Sequence, residues 1–259
     1  MSGLAVEARG LGKTFGSDDG QTEALRKIDL QIGQDDFVSL IGPSGCGKST
    51  LLRLIADLAD PSRGELIVNG KTPRQARLDR DYGMVFQAAT LLDWRTVRKN
   101  VELPLEIMDF ADEERSARAQ EMLDLVQLGG FTDHYPWQLS GGMQQRVAIA
   151  RALAFSPAIL LMDEPFGALD EMTRELMQQE VLRIWAETGI TVVFVTHSIP
   201  EAVFLSTRVL VMSPRPGTIG EEIDVDLPRR RDVDTREDPR YFELVTEVRE
   251  ALRRREQAP

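Results

Sequence analysis

An α/β fold with an all-helical lobe inserted into it is what this 259-residue sequence predicts. Three observations carry that reading. Residues 37–41, 159–162 and 191–195 are nearly continuous apolar runs, the pattern of strands covered on both faces. Helical segments alternate with several of them, which points to helices layered on a sheet. The stretch from about 88 to 155 breaks the alternation and reads as helix after helix.

The first buried strand, Phe37-Val38-Ser39-Leu40-Ile41, runs into Gly42-Pro43-Ser44-Gly45-Cys46-Gly47-Lys48-Ser49-Thr50 and then the apolar helix Leu51-Leu52-Arg53-Leu54-Ile55. The middle segment fits the P-loop pattern G-x-x-x-x-G-K-[ST], in the strand–loop–helix setting that the pattern needs. Its glycines let backbone N–H groups close around phosphate oxygens at a helix N-terminus. Lys48 is expected to reach the β- and γ-phosphates and the Ser49 hydroxyl to ligate Mg²⁺. Further strands are expected at 65–68 and 83–86. In the helical stretch, Asp112-Glu113-Glu114 places acids at a helix start. Ala119, Met122, Leu123 and Val126 mark its buried face, and Gly129-Gly130 is expected to end it.

Leu139-Ser140-Gly141-Gly142-Met143 is a second side-chain-poor turn that opens a helix, with Met143, Val147, Ala150 and Ala154 on one face. One nucleotide needs one cradle, so this second turn is expected to serve a nucleotide held by another copy of the chain. The strand at 159–162 ends in Asp163-Glu164, which puts two carboxylates at the edge where open α/β sheets hold their ligands. Asp163 is expected to hold Mg²⁺, directly or through water, and Glu164 to orient and deprotonate an attacking water. Strands at 191–195 and 208–212 complete the core. After Leu227 a polar linker, Pro228-Arg229-Arg230-Arg231-Asp232, reads as a solvated connector, the alternative being a nucleic-acid patch. A terminal helix opened by Asp238-Pro239 is expected to dock on the core through Phe242, Val245, Val248 and Leu252.

The bulk properties narrow the class. A net charge of −11 opposes the basic footprint of a nucleic-acid binder. One cysteine excludes an intrachain disulfide, and two histidines leave too few ligands for a Cys/His zinc site. Both suit a reducing compartment. The first residues do not read as a signal peptide. Residues 148–162, the longest greasy stretch, are interrupted by Arg151 and Pro157 and do not read as a membrane span. Any membrane role is therefore expected to come through a partner.

Over roughly residues 3–225 these motifs, in this order, resemble the ATP-binding-cassette (ABC) ATPases. The resemblance implies a P-loop NTPase fold: a RecA-like mixed-sheet core, an antiparallel β subdomain and an inserted helical subdomain. The corresponding division is 1–87 with 156–227, 88–155, and a linker with C-terminal helix at 228–259. It further implies that Phe15 stacks on adenine where tyrosine is more common. Gln87 matches the glutamine that contacts Mg²⁺ and relays the position of a transport partner. Leu139 to Met143 resemble the signature that binds the γ-phosphate in trans, with Met143 where glutamine is usual. Ala168-Leu169-Asp170 resemble the D-loop across a dimer seam, and His197 matches the switch histidine at the γ-phosphate. His134 fits no such position and is expected to be a loop residue.

The finer motifs, Gly141 to Arg146, Asp163 to Asp170, Thr196 to Ala202 and Met212 to Gly217, resemble the nitrate, sulfonate and taurine importers, a group that includes bicarbonate and pyrimidine-precursor transporters. This closer resemblance implies a head-to-tail homodimer that hydrolyses ATP with Mg²⁺ and no nucleic acid, peripheral on the cytoplasmic face of the membrane. It would drive a separate integral membrane permease, and through it a periplasmic or lipid-anchored solute-binding protein. The permease contact is expected near residues 87–94, with Leu91, Leu92 and Trp94 as an apolar anchor; the alternative is that these three pack inside the helical lobe. Rival functions are the ATPase of an exporter, an ABC protein acting on nucleic acid or the ribosome, and a small-molecule phosphotransferase, which leaves Ser140 and His197 unexplained.

Overall fold

The computed structural model describes residues 3–17 and 20–257. Strands β1 (Leu4–Ser17), β2 (Gly20–Gly33), β3 (Phe37–Ile41) and the P-loop helix α1 (Lys48–Ile55) come first. Strand β4 (Arg63–Val68), helix α2 (Pro73–Leu78) and strand β5 (Tyr82–Val85) follow. Three helices come next, α3 (Val97–Ile107), α4 (Asp112–Leu125) and α5 (Gly141–Leu153). The chain then returns to the sheet through β6 (Ile159–Asp163), α6 (Glu171–Thr188), β7 (Thr191–Val195), α7 (Ile199–Leu205), β8 (Arg208–Met212) and β9 (Ile219–Asp224), and ends in α8 (Pro239–Gln257).

Six strands form one sheet in the order β5-β6-β7-β3-β8-β9, parallel except for β9. The apolar runs have a simple cause. Successive side chains of a strand point to opposite faces, and both faces here are covered. Phe37, Ile41, Leu160, Met162, Val192, Phe194, Val209 and Val211 join one core, with residues of α3 to α8. Val38, Leu40, Ile159, Leu161, Val193, Val195, Leu210 and Met212 join the other, with α1 and a second sheet. That second sheet is antiparallel, in the order β2-β1-β4.

Strands β1, β2 and β9 are absent from the residue-by-residue expectation. Register shifts after Leu4, Ala8, Leu11 and Lys13 break the alternation of the β1–β2 pair. The alternation Ile28-Asp29-Leu30-Gln31-Ile32, with its three apolar side chains buried, was the signal present for β2. Strand β9 is an edge strand with only Ile223 fully buried, so it carries almost no pattern.

Three local expectations are corrected. Helix α4 stops at Leu125, and the chain reverses at Gln127 (φ 59°); Gly129-Gly130 lie beyond, in a short 3₁₀ turn. On α8 the buried stripe is Tyr241, Leu244, Val245, Val248 and Ala251, while Phe242 is 58 % exposed. The arginine linker is not solvated throughout. The Arg229 guanidinium lies 4.3 Å from the centroid of the buried Trp185 ring, a cation–π contact. Arg231 is buried and donates to the carbonyls of Pro228 (2.8 Å), Val203 (3.2 Å) and Phe204 (2.7 Å). The last two carbonyls belong to the final turn of α7, which leaves acceptors without intrahelical partners. Burial pushes the Arg231 pKa down to about 10, so the group stays charged at neutral pH.

Cys46 stands within the P-loop pattern, a position from which its thiol is expected to line the nucleotide loop, where alkylation would inhibit and bound ATP would protect it; the structure corrects this. The side chain is instead buried beneath the loop, in the core that also holds Leu25, Leu51 and Met212. A Cβ on Gly42 would come within 2.9 Å of its sulfur, so the loop closes directly over it.

Two outcomes are expected from this packing. Arg231→Met, which keeps the volume but leaves three carbonyls without their donor, should lower unfolding stability by about 2–3 kcal/mol in urea melts; an unchanged midpoint would restore the solvated connector. The native Cys46 thiol should react with iodoacetamide at least about a hundredfold more slowly than in the urea-unfolded chain, because attack requires an opening of the core. Equal rates in the two states would place the thiol at the surface.

Candidate functional site

The motif residues collect at the carboxyl ends of β3, β6 and β7, which lie side by side in the sheet. After Ile41 the chain passes through the loop 42–47 and enters α1. Gly47 caps this helix at φ 108°, and a Cβ there would sit 2.6 Å from Leu25 Cδ2 and 3.0 Å from the Ala24 carbonyl. Only glycine satisfies both the backbone angle and the close approach of β2. The loop borders a 340 Å³ cleft lined by Phe15, Thr22, Ala24, Ser44, Gly45, Gly47, Lys48, Ser49, Thr50, Glu164 and Arg215. Gly42, Pro43 and Cys46 do not line it. The carbonyls of Gly42 and Pro43 accept from the buried Lys48 Nζ at 2.8 and 3.1 Å, which folds the ammonium back across its own loop.

Asp163 closes β6, and its carboxylate accepts from the Ser49 hydroxyl at 2.8 Å. Two hard oxygen donors from distant parts of the chain thus stand together at the start of α1. Glu164, at φ 46°, follows directly, and its Oε2 lies 3.2 Å from His197 Nδ1. Gln87 lies just past the end of β5, near the turn after Glu164: a Cβ on Gly167 would come within 2.9 Å of the Gln87 amide nitrogen. Phe15, near the end of β1, is 44 % exposed on the lip of the cleft, with Lys13 Nζ 4.9 Å from its ring centroid.

Ser140 to Met143 lie outside the cleft lining. Ser140 is the N-cap of α5, its hydroxyl accepting from the Met143 N–H at 3.3 Å. Leu139 is buried, Met143 packs half-buried on the core, and the backbone at Ser140 and Gly141 is exposed. A Cβ on Gly142 would meet Thr173 Cγ2 at 2.4 Å, and Leu169 borders Gly141. The turn at 139–143 and residues 168–170 are therefore neighbours within one chain. Asp170 caps α6 by accepting from the Thr173 N–H (3.0 Å); this bond holds its carboxyl below the usual carboxylate range. Ala168 and Asp170 are exposed. His134 is a loop residue packed against Phe131.

Three residues that join the site were given no site role in the sequence, although Gln145 and Arg215 fall within stretches that carry the closer resemblance. Arg215 lines the cleft and donates to the Gly45 carbonyl (3.2 Å). Gln145 donates to the Phe86 carbonyl (3.0 Å), and Arg151 donates to the carbonyls of Ala89 and Thr90, both at 2.9 Å. Both belong to α5, so this helix carries the turn at 139–143 at one end and grips the Gln87 loop along its side. Burial holds the Arg151 pKa below the usual arginine value. For Arg151 the sequence signal was a polar side chain on an otherwise buried helix. Of the proposed anchor, Leu91 and Leu92 are half-buried, with Leu91 packed on the core, while Trp94 is 74 % exposed. A larger cavity, 830 Å³, lies at the opposite edge of the sheet, where Ile159 and Thr191 begin their strands, and is lined by none of the motif residues.

Comparison with known proteins agrees with this arrangement. A family model described as "ABC transporter" matches residues 25–167. The nitrate import ATP-binding protein NrtD of Synechocystis sp. is 44 % identical over 259 residues, covering 98 % of this chain and 97 % of the relative. The taurine import ATP-binding protein TauB of Rhizobium johnstonii is 49 % identical over 234 residues, 88 % of each chain. Among solved structures, the ATP-binding cassette MJ0796, a dimer in a post-hydrolysis state bound to ADP and Pi, superposes with a TM-score of 0.75. It is 39 % identical and covers 86 % of this chain and 100 % of that one. The chain belongs to the ATP-binding proteins of the ABC transporter family.

Proposed function

We propose that this chain is the ATP-hydrolysing subunit of an importer for nitrate, taurine or a related small solute, working as a head-to-tail homodimer beneath a separate membrane permease. The observation that carries the proposal is the convergence of Lys48, Ser49, Asp163, Glu164 and His197 on one sheet edge, while Ser140 and Gly141 lie exposed outside that cleft. In this reading the P-loop amides and Lys48 bind the phosphates of ATP, and Phe15 stacks on the adenine. Lys48 then exchanges its own loop carbonyls for phosphate oxygens.

Ser49, Asp163 and Gln87 supply the hydroxyl, carboxylate and amide oxygens that a hard cation such as Mg²⁺ takes. Bound there, Mg²⁺ would neutralise charge on the β- and γ-phosphates. Glu164 holds the attacking water and accepts its proton. His197, already beside that carboxylate, donates to the γ-phosphate and fixes the orientation of Glu164. The turn at 139–143 contributes the Ser140 hydroxyl and the Gly141 and Gly142 amides to the ATP of a second copy, so each subunit completes the other's site. Residues 168–170 then lie on the same seam.

Residues 88–155 are proposed to move as a unit on the core. Gln145 and Arg151 tie the Gln87 loop to α5, so loss of the γ-phosphate is felt at Gln87 and at the signature turn together. The exposed Trp94, beside that loop, is the proposed permease anchor. The importer reading is supported by the relatives named for nitrate and taurine import, the dimer by the MJ0796 structure. No described helix is long and apolar enough to cross a membrane, so the translocation path is assigned to the partner.

Glu164→Gln should retain ATP affinity, lose at least about a hundredfold in turnover, and accumulate as an ATP-bound dimer in light scattering, since the proton acceptor is lost while the phosphate contacts remain. Wild-type turnover in this variant would remove Glu164 from the role. Trp94→Ala should leave the hydrolysis of the isolated subunit unchanged and weaken its co-purification with a multi-span permease from detergent-solubilised membranes by roughly tenfold or more. Retained permease capture would move the contact elsewhere, and recovery of ribosomal protein or nucleic acid instead would favour a rival function.

A further inference from the structure

After β9 the chain turns back onto α7, the short helix that begins two residues beyond His197. The His197 side chain is 66 % exposed, with Glu164 as its partner at 3.2 Å, so its placement depends on the backbone that carries it. That backbone is fixed from below. The Thr196 hydroxyl donates to Glu201 Oε2 at 2.6 Å and accepts from the Ser198 N–H at 3.0 Å, which pins both neighbours of His197. Glu201 is buried, and its other oxygen accepts from the Gln178 amide (3.2 Å) and faces Arg174 at 3.6 Å.

The relay continues into the C-terminal segment. Arg236 donates to the Gln178 side-chain carbonyl and to Glu175 (3.3 Å), and its guanidinium lies 4.2 Å from the Phe204 ring centroid. A second strut is direct: the hydroxyl of the buried Tyr241 donates to the Pro200 carbonyl at 3.2 Å, in the first turn of α7. Residues 236 and 241 thus meet the histidine-bearing loop by two independent routes. A hydrogen-bonded network built on the buried side chains of Gln178, Glu201 and Thr196 selects one geometry over its neighbours.

From this geometry we infer that Arg236 and Tyr241 are positioning residues for hydrolysis. Through Gln178 and Glu201 to Thr196, and directly through Pro200, they hold residues 196–198 where His197 meets Glu164. The inference rests on the role given to His197 above. It makes the segment after the last strand part of the catalytic apparatus, although no atom of it lines the nucleotide cleft.

The test uses the full chain labelled with ¹³C-histidine. Only His134 and His197 contribute imidazole signals, and His134→Gln assigns them. In the double variant Arg236→Met/Tyr241→Phe, the His197 Cε1–H resonance should move or broaden while that of His134 stays. Turnover should fall about tenfold, the scale of a modest misplacement of a reacting group, with ATP affinity unchanged. Thr196→Val should act in the same direction, and Thr196→Ser, which keeps the hydroxyl, should restore turnover. Phe242→Ala, exposed on the same terminal helix, should change neither readout. An unmoved His197 signal in the double variant overturns the inference, whatever the turnover. A shifted His197 signal with wild-type turnover leaves the positioning intact and removes His197 from the hydrolytic role instead.

Discussion

Burial of one parallel sheet on both faces is the constraint on which the rest of this molecule depends. Strands β3, β6, β7 and β8 give alternate side chains to two separate cores, and almost nothing polar is tolerated along their length. Ser39, the exception in β3, is answered by Ser206 in the connection from α7 to β8. Chemistry can therefore leave the sheet only where strands end. Three adjacent strands end in the loop at 42–47, in Asp163-Glu164 and in Thr196-His197, so groups more than 100 positions apart in sequence come within hydrogen-bonding distance, as Ser49 and Asp163 do.

The same economy of contact governs the link between the cleft and the helical lobe. The Gln87 loop docks Leu91 on the core and is otherwise held by polar side chains of two helices. Gln145 and Arg151 of α5 satisfy backbone carbonyls at 86, 89 and 90, and Asn100 of α3 bonds the backbone of Leu92 and Arg95. Because α5 also begins at Ser140, a displacement of this helix carries the signature turn and the Gln87 loop together. Packing of Thr173 on Gly142 and of Leu169 near Gly141 brings the proposed dimer seam into the same assembly. Such a cluster of short, polar and small-residue contacts is suited to two discrete arrangements, whereas the sheet beneath is suited to one.

At the opposite end of the chain, arginines add to the apolar packing of α8. Arg231 satisfies the last carbonyls of α7, Arg229 covers Trp185, and Arg236 bridges α6 and the Phe204 ring. In a chain with a net charge of −11, these cations serve as caps and ring partners, uses for which the planar guanidinium is suited. They explain how a segment beyond the last strand is fastened without extending the sheet.

Much of the architecture was legible in the sequence because it follows from local rules. Two-sided burial makes 37–41, 159–162 and 191–195 continuous apolar runs, and the G-x-x-x-x-G-K-S spacing between a strand and a helix specifies a phosphate loop whatever surrounds it. Strands β1 and β9 were illegible because bulges and edge exposure erase periodicity. Cys46 shows the limit most clearly: its position in the motif was certain, yet the direction of its thiol is decided by β2 and β8 closing beneath the loop. Likewise the run Arg229-Arg230-Arg231 reads as polar in one dimension, and only the carbonyls at the end of α7 turn Arg231 inward. Sequence alone determined which residues stand in the motifs and in what order they occur. Tertiary structure decided which of them meet, and which distant side chains hold them, because those contacts join elements far apart along the chain and leave no periodic or local trace in it.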